Sequence, residues 1–109
     1  MDTKEDRPEL TGRQKRYLRG LGHHLEYMVI VGREGLTGNL LASCGDALTA
    51  HELVKIRLGQ NCPLHKNEAA RQLAARTGSH LVQLIGKTVL LYRPNRNKPR
   101  DSQIQLPRH

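Results

Sequence analysis

Four residues of this 109-residue chain, Gly32-Arg33-Glu34-Gly35, carry the pattern best suited to gripping a ligand. Two glycines bracket two charged residues, so the backbone can come close to another molecule without side-chain obstruction. The amides that open the next predicted helix are unpaired within it and favour an anion such as phosphate. Arg33 adds a guanidinium able to meet phosphate oxygens in a bidentate contact. The same four residues also suit a plain strand-to-helix turn. By itself the loop decides nothing.

Residues that could do acid–base or metal chemistry are sparse. His51-Glu52 and His23-His24 are the best acid–base pairs, but no serine elbow, Walker lysine motif or pair of carboxylates accompanies them. A histidine at a helix end beside cations is more often a solvated residue, a helix cap or a nucleic-acid contact. No catalytic residue is assigned, and a nuclease or RNA-modifying activity is motivated only by histidines beside a basic surface. Cys62 and His65 are spaced to share a metal, yet a structural zinc site needs more ligands and no second pair matches. The residues therefore point to neither a metal site nor a cofactor.

Charge points to a partner more firmly. Eighteen Lys and Arg oppose ten Asp and Glu, a formal balance of +8, and a polyanion is the simplest partner for it. An anionic membrane surface competes, but it would want a basic helix with large apolar residues on its other side, which the first helix only partly offers. No apolar run approaches the roughly 20 residues of a spanning helix. Arg13, Lys15, Arg16 and Arg19 fall on the first predicted helix, Lys55 and Arg57 on one face of a strand, and Lys87 and Arg93 on either side of the last strand. If the sheet brings the glycine loop near the first helix, these cations form one surface for backbone phosphates. With three Tyr and no Trp or Phe, recognition of RNA shape is favoured over a platform of stacked bases. Charge alone does not separate RNA from DNA.

The elements that must hold these residues follow from local pattern. Thr11 with Gln14 predicts a capped helix start, and Tyr17, Leu18, Leu21 and Leu25 form its apolar stripe. Gly20 and Gly22 weaken that helix, which should stop near His23 or His24. Residues 28–31 read as a buried strand, 37–51 as a second helix with Leu40, Leu41, Cys44, Ala47 and Leu48 on its packed face. Gly45 inside it has no reason visible at this level. Val54, Ile56 and Leu58 alternate with Leu53, Lys55 and Arg57, so one strand face enters the core. A third helix spans 65–76, and 81–85 and 88–92 form a hairpin about Gly86-Lys87. The order αβαβαββ predicts an α/β fold, a two-layer sandwich with a mixed four-stranded sheet. Residues 1–9 read as a flexible arm, 10–94 as one domain, and 95–109 as a basic tail. Both ends look disordered, although Ile104 and Leu106 could lie back on the body.

Taken together, several runs resemble the CRM domain family. They are Leu10-Thr11, Gln14, Leu18, Gly20-Leu21 and His23-His24-Leu25; Val31 to Thr37 around the glycine loop; His51 to Ile56; and Gln83 to Lys87 followed by Leu91-Tyr92-Arg93-Pro94. They occur in the family's order and spacing over 10–94. The compact chain is similar to the stand-alone bacterial YhbY-like proteins. The resemblance implies a fold like the C-terminal domain of translation initiation factor 3, RNA binding through Gly32, Arg33, Glu34, Gly35 and Lys55, and association with precursors of the large ribosomal subunit. Tyr27 departs from the family, which usually has Pro before the first strand. Tyr keeps an amide donor and frees the torsion that Pro would fix.

The expectation is thus a non-enzymatic, monomeric RNA-binding protein acting on ribosomal RNA as a large-subunit assembly factor. The alternative is a ribosome-docking protein-interaction or translation-linked module, with charge assisting encounter. The absence of an apolar segment in residues 1–9 points to the cytoplasm, with Cys44 and Cys62 as free thiols.

Overall fold

In the computed structural model, which describes residues 9–109, each α-helix begins where a side chain can take an orphan amide. Thr11 opens α1 (Gly12–Gly22): its hydroxyl accepts the Gln14 amide at 3.1 Å, while the Gln14 side chain accepts the Thr11 amide at 3.0 Å. Thr37 opens α2 (Gly38–His51) by accepting from Leu40 at 3.1 Å. His65 opens α3 (Lys66–Thr77), its Nδ1 accepting the Asn67 amide at 3.2 Å. Gly78, at φ +65°, closes α3 in the left-handed conformation.

The strands are β1 (Val29–Val31), β2 (Leu53–Leu58), β3 (His80–Ile85) and β4 (Thr88–Tyr92). They form one mixed sheet in the order β1-β2-β4-β3, with β1 parallel to β2 and the other pairs antiparallel. The α/β class and the αβαβαββ order are as the sequence predicts. Val54, Ile56 and Leu58 of β2 meet Val89 and Leu91 of β4 beneath α2 and α3, where Cys44, Leu48, Ala70 and Leu73 complete the main core.

The layering differs from the two-layer expectation. A second core lies on the opposite face, where Leu18 of α1 packs on Leu53, Val82, Leu90 and Tyr92. The sheet is therefore covered on both faces at the Tyr92 end. The additional apolar surface comes from outside the helices, from Leu10, Leu25, Ile104 and Leu106. Gly22 lets α1 approach closely, because a Cβ there would stand 2.8 Å from Leu90 Cδ2. Tyr17, placed by its spacing in the apolar stripe, is 43% exposed and belongs to neither core.

The C-terminal residues are also better held than expected. Glu52 is buried, and its two carboxylate oxygens accept the backbone amides of Asn95 and Ile104, each at 2.7 Å. Lys98 Nζ donates to the Ala50 carbonyl at 2.8 Å, and the Gln14 side chain donates to the Pro107 carbonyl at 2.9 Å. These bonds keep Ile104 and Leu106 on the second core; a short 3-10 turn, Arg100–Ser102, lies between the anchors. The expectation of a flexible N-terminal arm falls almost wholly on residues 1–8, which lie outside the described residues.

Candidate nucleic-acid interface

Gly32 to Gly35 form a closed turn in which the Gly35 amide donates to the Gly32 carbonyl at 3.0 Å. Gly35 is buried at φ +72°, and a Cβ there would also come within 3.3 Å of Pro63 Cγ. The torsion favours glycine at that position, and any side chain there would also press on the Pro63 ring. Gly32, Arg33 and Glu34 are exposed at the tip. The helix start does not follow directly: Leu36 and Thr37 intervene, and the Thr37 hydroxyl already takes one α2 amide. The backbone at Gly32 and the side chains of Arg33 and Glu34 are thus the accessible parts of the turn.

Sheet topology decides what stands beside this turn. Since β1 and β2 are parallel, their C-terminal ends coincide, and the antiparallel β4 begins there. The Gly59 amide donates to the Val31 carbonyl, and the Leu58 amide to the Lys87 carbonyl, both at 2.8 Å. The glycine turn, Arg57 and the Gly86-Lys87 hairpin therefore share one end of the sheet. Arg57 and Lys87 are exposed.

Lys55 lies two residues back along the same face of β2. Its ammonium donates to the carbonyls of Gly22 at 3.4 Å and Leu25 at 3.3 Å, where α1 ends. A cation at the C-terminal end of a helix also meets the negative end of the helix dipole. Part of the Lys55 donor capacity is spent in this way on positioning α1. Arg19 of α1 borders a small cleft of about 120 Å³ with His23, Lys55 and Gln83.

The remaining α1 cations stand further off. The start of α1 lies near Tyr92 and His80, and its end near Leu90 and Lys55, so the helix runs toward the glycine-turn end. Arg13 and Arg16 border a separate groove of about 600 Å³ with Gln105, Leu106 and Pro107. Lys15 is half-buried on the same helix.

Arg93 does not join them. Its guanidinium donates to the Thr77 carbonyl at 2.7 Å and to the Gly45 carbonyl and Thr49 hydroxyl, each at 2.9 Å. It clamps α2 to the end of α3, on the opposite side of the sheet from α1. Sequence spacing put Arg93 beside Lys87 in the list of cations, but the clamp depends on contacts 16 to 48 residues away.

The other reactive groups are accounted for locally. Glu52 spends its carboxylate on the C-terminal segment, and His51 is an exposed last residue of α2. His65 caps α3 rather than facing a metal with Cys62. Burial pushes the Cys44 thiol up to about 11. Among the described residues, no group of three or more His, Cys, Asp or Glu side chains is placed to hold a metal, and no helix is long and apolar enough to cross a membrane.

Sequence reasoning noted Tyr27 only as a departure. In the structure its hydroxyl pairs with Thr88 Oγ1 at 2.6 Å, and its ring has Lys55 Nζ at 5.2 Å and Arg57 Cζ at 5.9 Å from the centroid. The approach to β1 is regular, since the Met28 amide donates to the Lys55 carbonyl at 2.9 Å.

Comparison with known proteins agrees with this architecture. The model of the CRS1 / YhbY (CRM) domain matches residues 10–93. The Bacillus subtilis protein named Probable RNA-binding protein YqeI is 42% identical over 98 residues, covering 90% of this chain and 99% of that protein. A Haemophilus influenzae protein named RNA-binding protein is 37% identical over 99 residues, covering 91% and 96%. The solution structure of Staphylococcus aureus SAV1595 superposes with a TM-score of 0.74 at 37% identity, covering 91% of this chain and 100% of that one. With the family model spanning most of the chain, and the glycine turn, the basic strand and the sheet order all in place, this protein belongs to the CRS1/YhbY (CRM) domain family.

Proposed function

We propose that this protein binds ribosomal RNA in precursors of the large subunit and acts there, as a cytoplasmic monomer, in assembly. The observation that carries the RNA-binding part is the exposed turn of Gly32, Arg33 and Glu34 sharing one end of the sheet with Arg57 and Lys87. A turn whose backbone is unobstructed at Gly32, carrying Arg33 and standing beside Arg57 and Lys87, suits a sugar–phosphate backbone. Lys55, Arg19 and the outer cations of α1 extend positive charge along the same side, which draws a polyanion in and makes binding salt-dependent. Relatives over nearly the whole chain carry RNA-binding names, which supports the same class of ligand. The ribosomal target rests on family resemblance.

Ultraviolet crosslinking of the tagged protein in its own cells, followed by sequencing of the attached RNA, tests the proposal. Crosslinks concentrated in one region of large-subunit ribosomal RNA are expected, with the protein sedimenting among precursor particles. Crosslinks scattered over messenger, transfer and ribosomal RNA would remove the ribosomal role and leave a general RNA binder.

A further inference from the structure

The second core covers only half of the α1 face of the sheet. On the uncovered half, one row of side chains crosses all four strands: Ile30 of β1 pairs with Arg57 of β2, Arg57 with Thr88 of β4, and Thr88 with Ile85 of β3. At about 4.8 Å per strand the row is roughly 14 Å long. Its two ends are apolar and open, Ile30 and Ile85 each being 62% exposed. Tyr27 reaches over its middle, held by the Thr88 hydroxyl and flanked by Lys55 and Arg57, and stays 42% exposed. Among the described residues, the large exposed apolar side chains outside this patch reduce to Tyr17 on α1.

We propose that this half of the sheet is a stacking site for unpaired nucleobases of a single-stranded RNA segment. A base lies against the Tyr27 ring, Ile30 and Ile85 bound it laterally, and Arg57, Lys55 and Arg19 hold the adjoining phosphates. The inference rests on the RNA-binding reading above and adds the kind of RNA taken: a bulge, loop or end rather than a continuous duplex. It also revises the expectation that so few aromatics imply recognition of shape alone, because one tyrosine fixed in place offers a stacking face at small entropic cost.

Charge complementarity selects this occupant. Lys55 stands beside Arg57 at the centre of the patch, over the Tyr27 ring, whereas lysine is depleted at the centre of a protein–protein interface. The adjoining cleft is bordered by Arg19, His23, Lys55 and Gln83, with no carboxylate among its lining residues. Aromatic and aliphatic surface interleaved with cations is the combination that single-stranded nucleic acid requires.

Full-length protein is tested against two fluorescent probes, an oligouridylate and a blunt RNA duplex of matched length. Replacing Tyr27 by Ala is expected to weaken oligouridylate binding about tenfold while duplex affinity changes less than about twofold. Tyr27→Phe keeps the ring and is expected to retain oligouridylate binding. Equal losses on both probes, or no loss on either, overturn the stacking site. If neither probe binds the unaltered protein, the RNA-binding reading itself fails; if Arg33→Glu weakens binding and Tyr27→Ala does not, only the stacking site fails. Should Tyr27→Ala unfold the protein, the unaltered protein still decides: photocrosslinking to an oligouridylate carrying one 5-iodouridine should mark Tyr27. Adducts confined to other peptides overturn the proposal, as does loss of a protein partner, but not of RNA, on substitution of Tyr27.

Discussion

The carboxylate of Glu52 accepts the backbone amide of Ile104 at 2.7 Å, joining residues 52 positions apart. Its other oxygen takes the Asn95 amide, so one buried side chain fixes both ends of a chain segment. Glu52 also sits at φ +65°, a conformation that costs a non-glycine residue on the order of 1–3 kcal/mol.

Replacing Glu52 with Ala should therefore destabilise the protein by about 1–3 kcal/mol, through two half-buried amides left without their partner. Urea unfolding measures the loss, and hydrogen exchange at Asn95 and Ile104 should accelerate. Glu52→Gly relieves the torsion but removes the carboxylate. It should remain less stable than the parent; a Gly variant as stable as the parent would show that the carboxylate contributes no more than the torsion costs.

Arg33 and Arg93 should separate binding from stability. Arg33→Glu reverses an exposed charge at the turn, so RNA affinity should fall without change in the unfolding midpoint. For Arg33→Ala the slope of log affinity against log salt should shrink by about 1. Arg93→Ala removes three intramolecular bonds and should cost roughly 1–3 kcal/mol of stability, with RNA affinity little changed. Affinity tracking Arg93 more than Arg33 would reverse these assignments.

Two glycines of α1 should respond oppositely. A Cβ at Gly22 would stand 2.8 Å from Leu90 Cδ2, so Gly22→Ala should cost about 1–3 kcal/mol as α1 is pushed off β4. Gly20 faces solvent with nothing within 4 Å, so Gly20→Ala should stabilise by roughly 0.5–1 kcal/mol. Thermal unfolding of the two variants gives the comparison directly.

Stability should fall in alkali. Burial raises the Cys44 thiol from 9.0 to about 11, and burial together with the Glu52 charge raises the Tyr92 hydroxyl from 10.0 to about 12, with Arg96 opposing. Both groups hold their protons longer in the folded chain, so the unfolded state binds fewer protons in this range and stability drops as pH rises. The contribution is fully present below pH 9 and is lost between about 9 and 12. Denaturant midpoints across that window test it, and Cys44→Ala should remove the earlier part of the fall.

Local chemistry was well legible in the chain. Thr11 and Gln14 announced their capping pair, the alternation of Val54, Ile56 and Leu58 identified the core face of β2, and Gly86-Lys87 marked the hairpin. The positions that escaped are those settled by distant contacts. Arg93 looked like another surface cation because Gly45 and Thr77 are far away in sequence; the bond at Gly45 goes to its backbone carbonyl, and the glycine itself has no structural explanation. Leu53 alternated correctly, but the second core it enters needs Ile104 and Leu106. Tyr27 was visible as an oddity, and only the sheet register shows what it stands over.

The family match ends at Arg93, while the second core is finished by Ile104 and Leu106. The span matched by the domain model and the span that packs as one body in this protein therefore have different limits. A fragment trimmed to residues 10–93 would keep every residue of the glycine turn, yet leave the Glu52 carboxylate without its two donors and Leu18 and Tyr92 under thinner cover. The boundary of the domain as a sequence pattern thus falls inside the body that its packing defines.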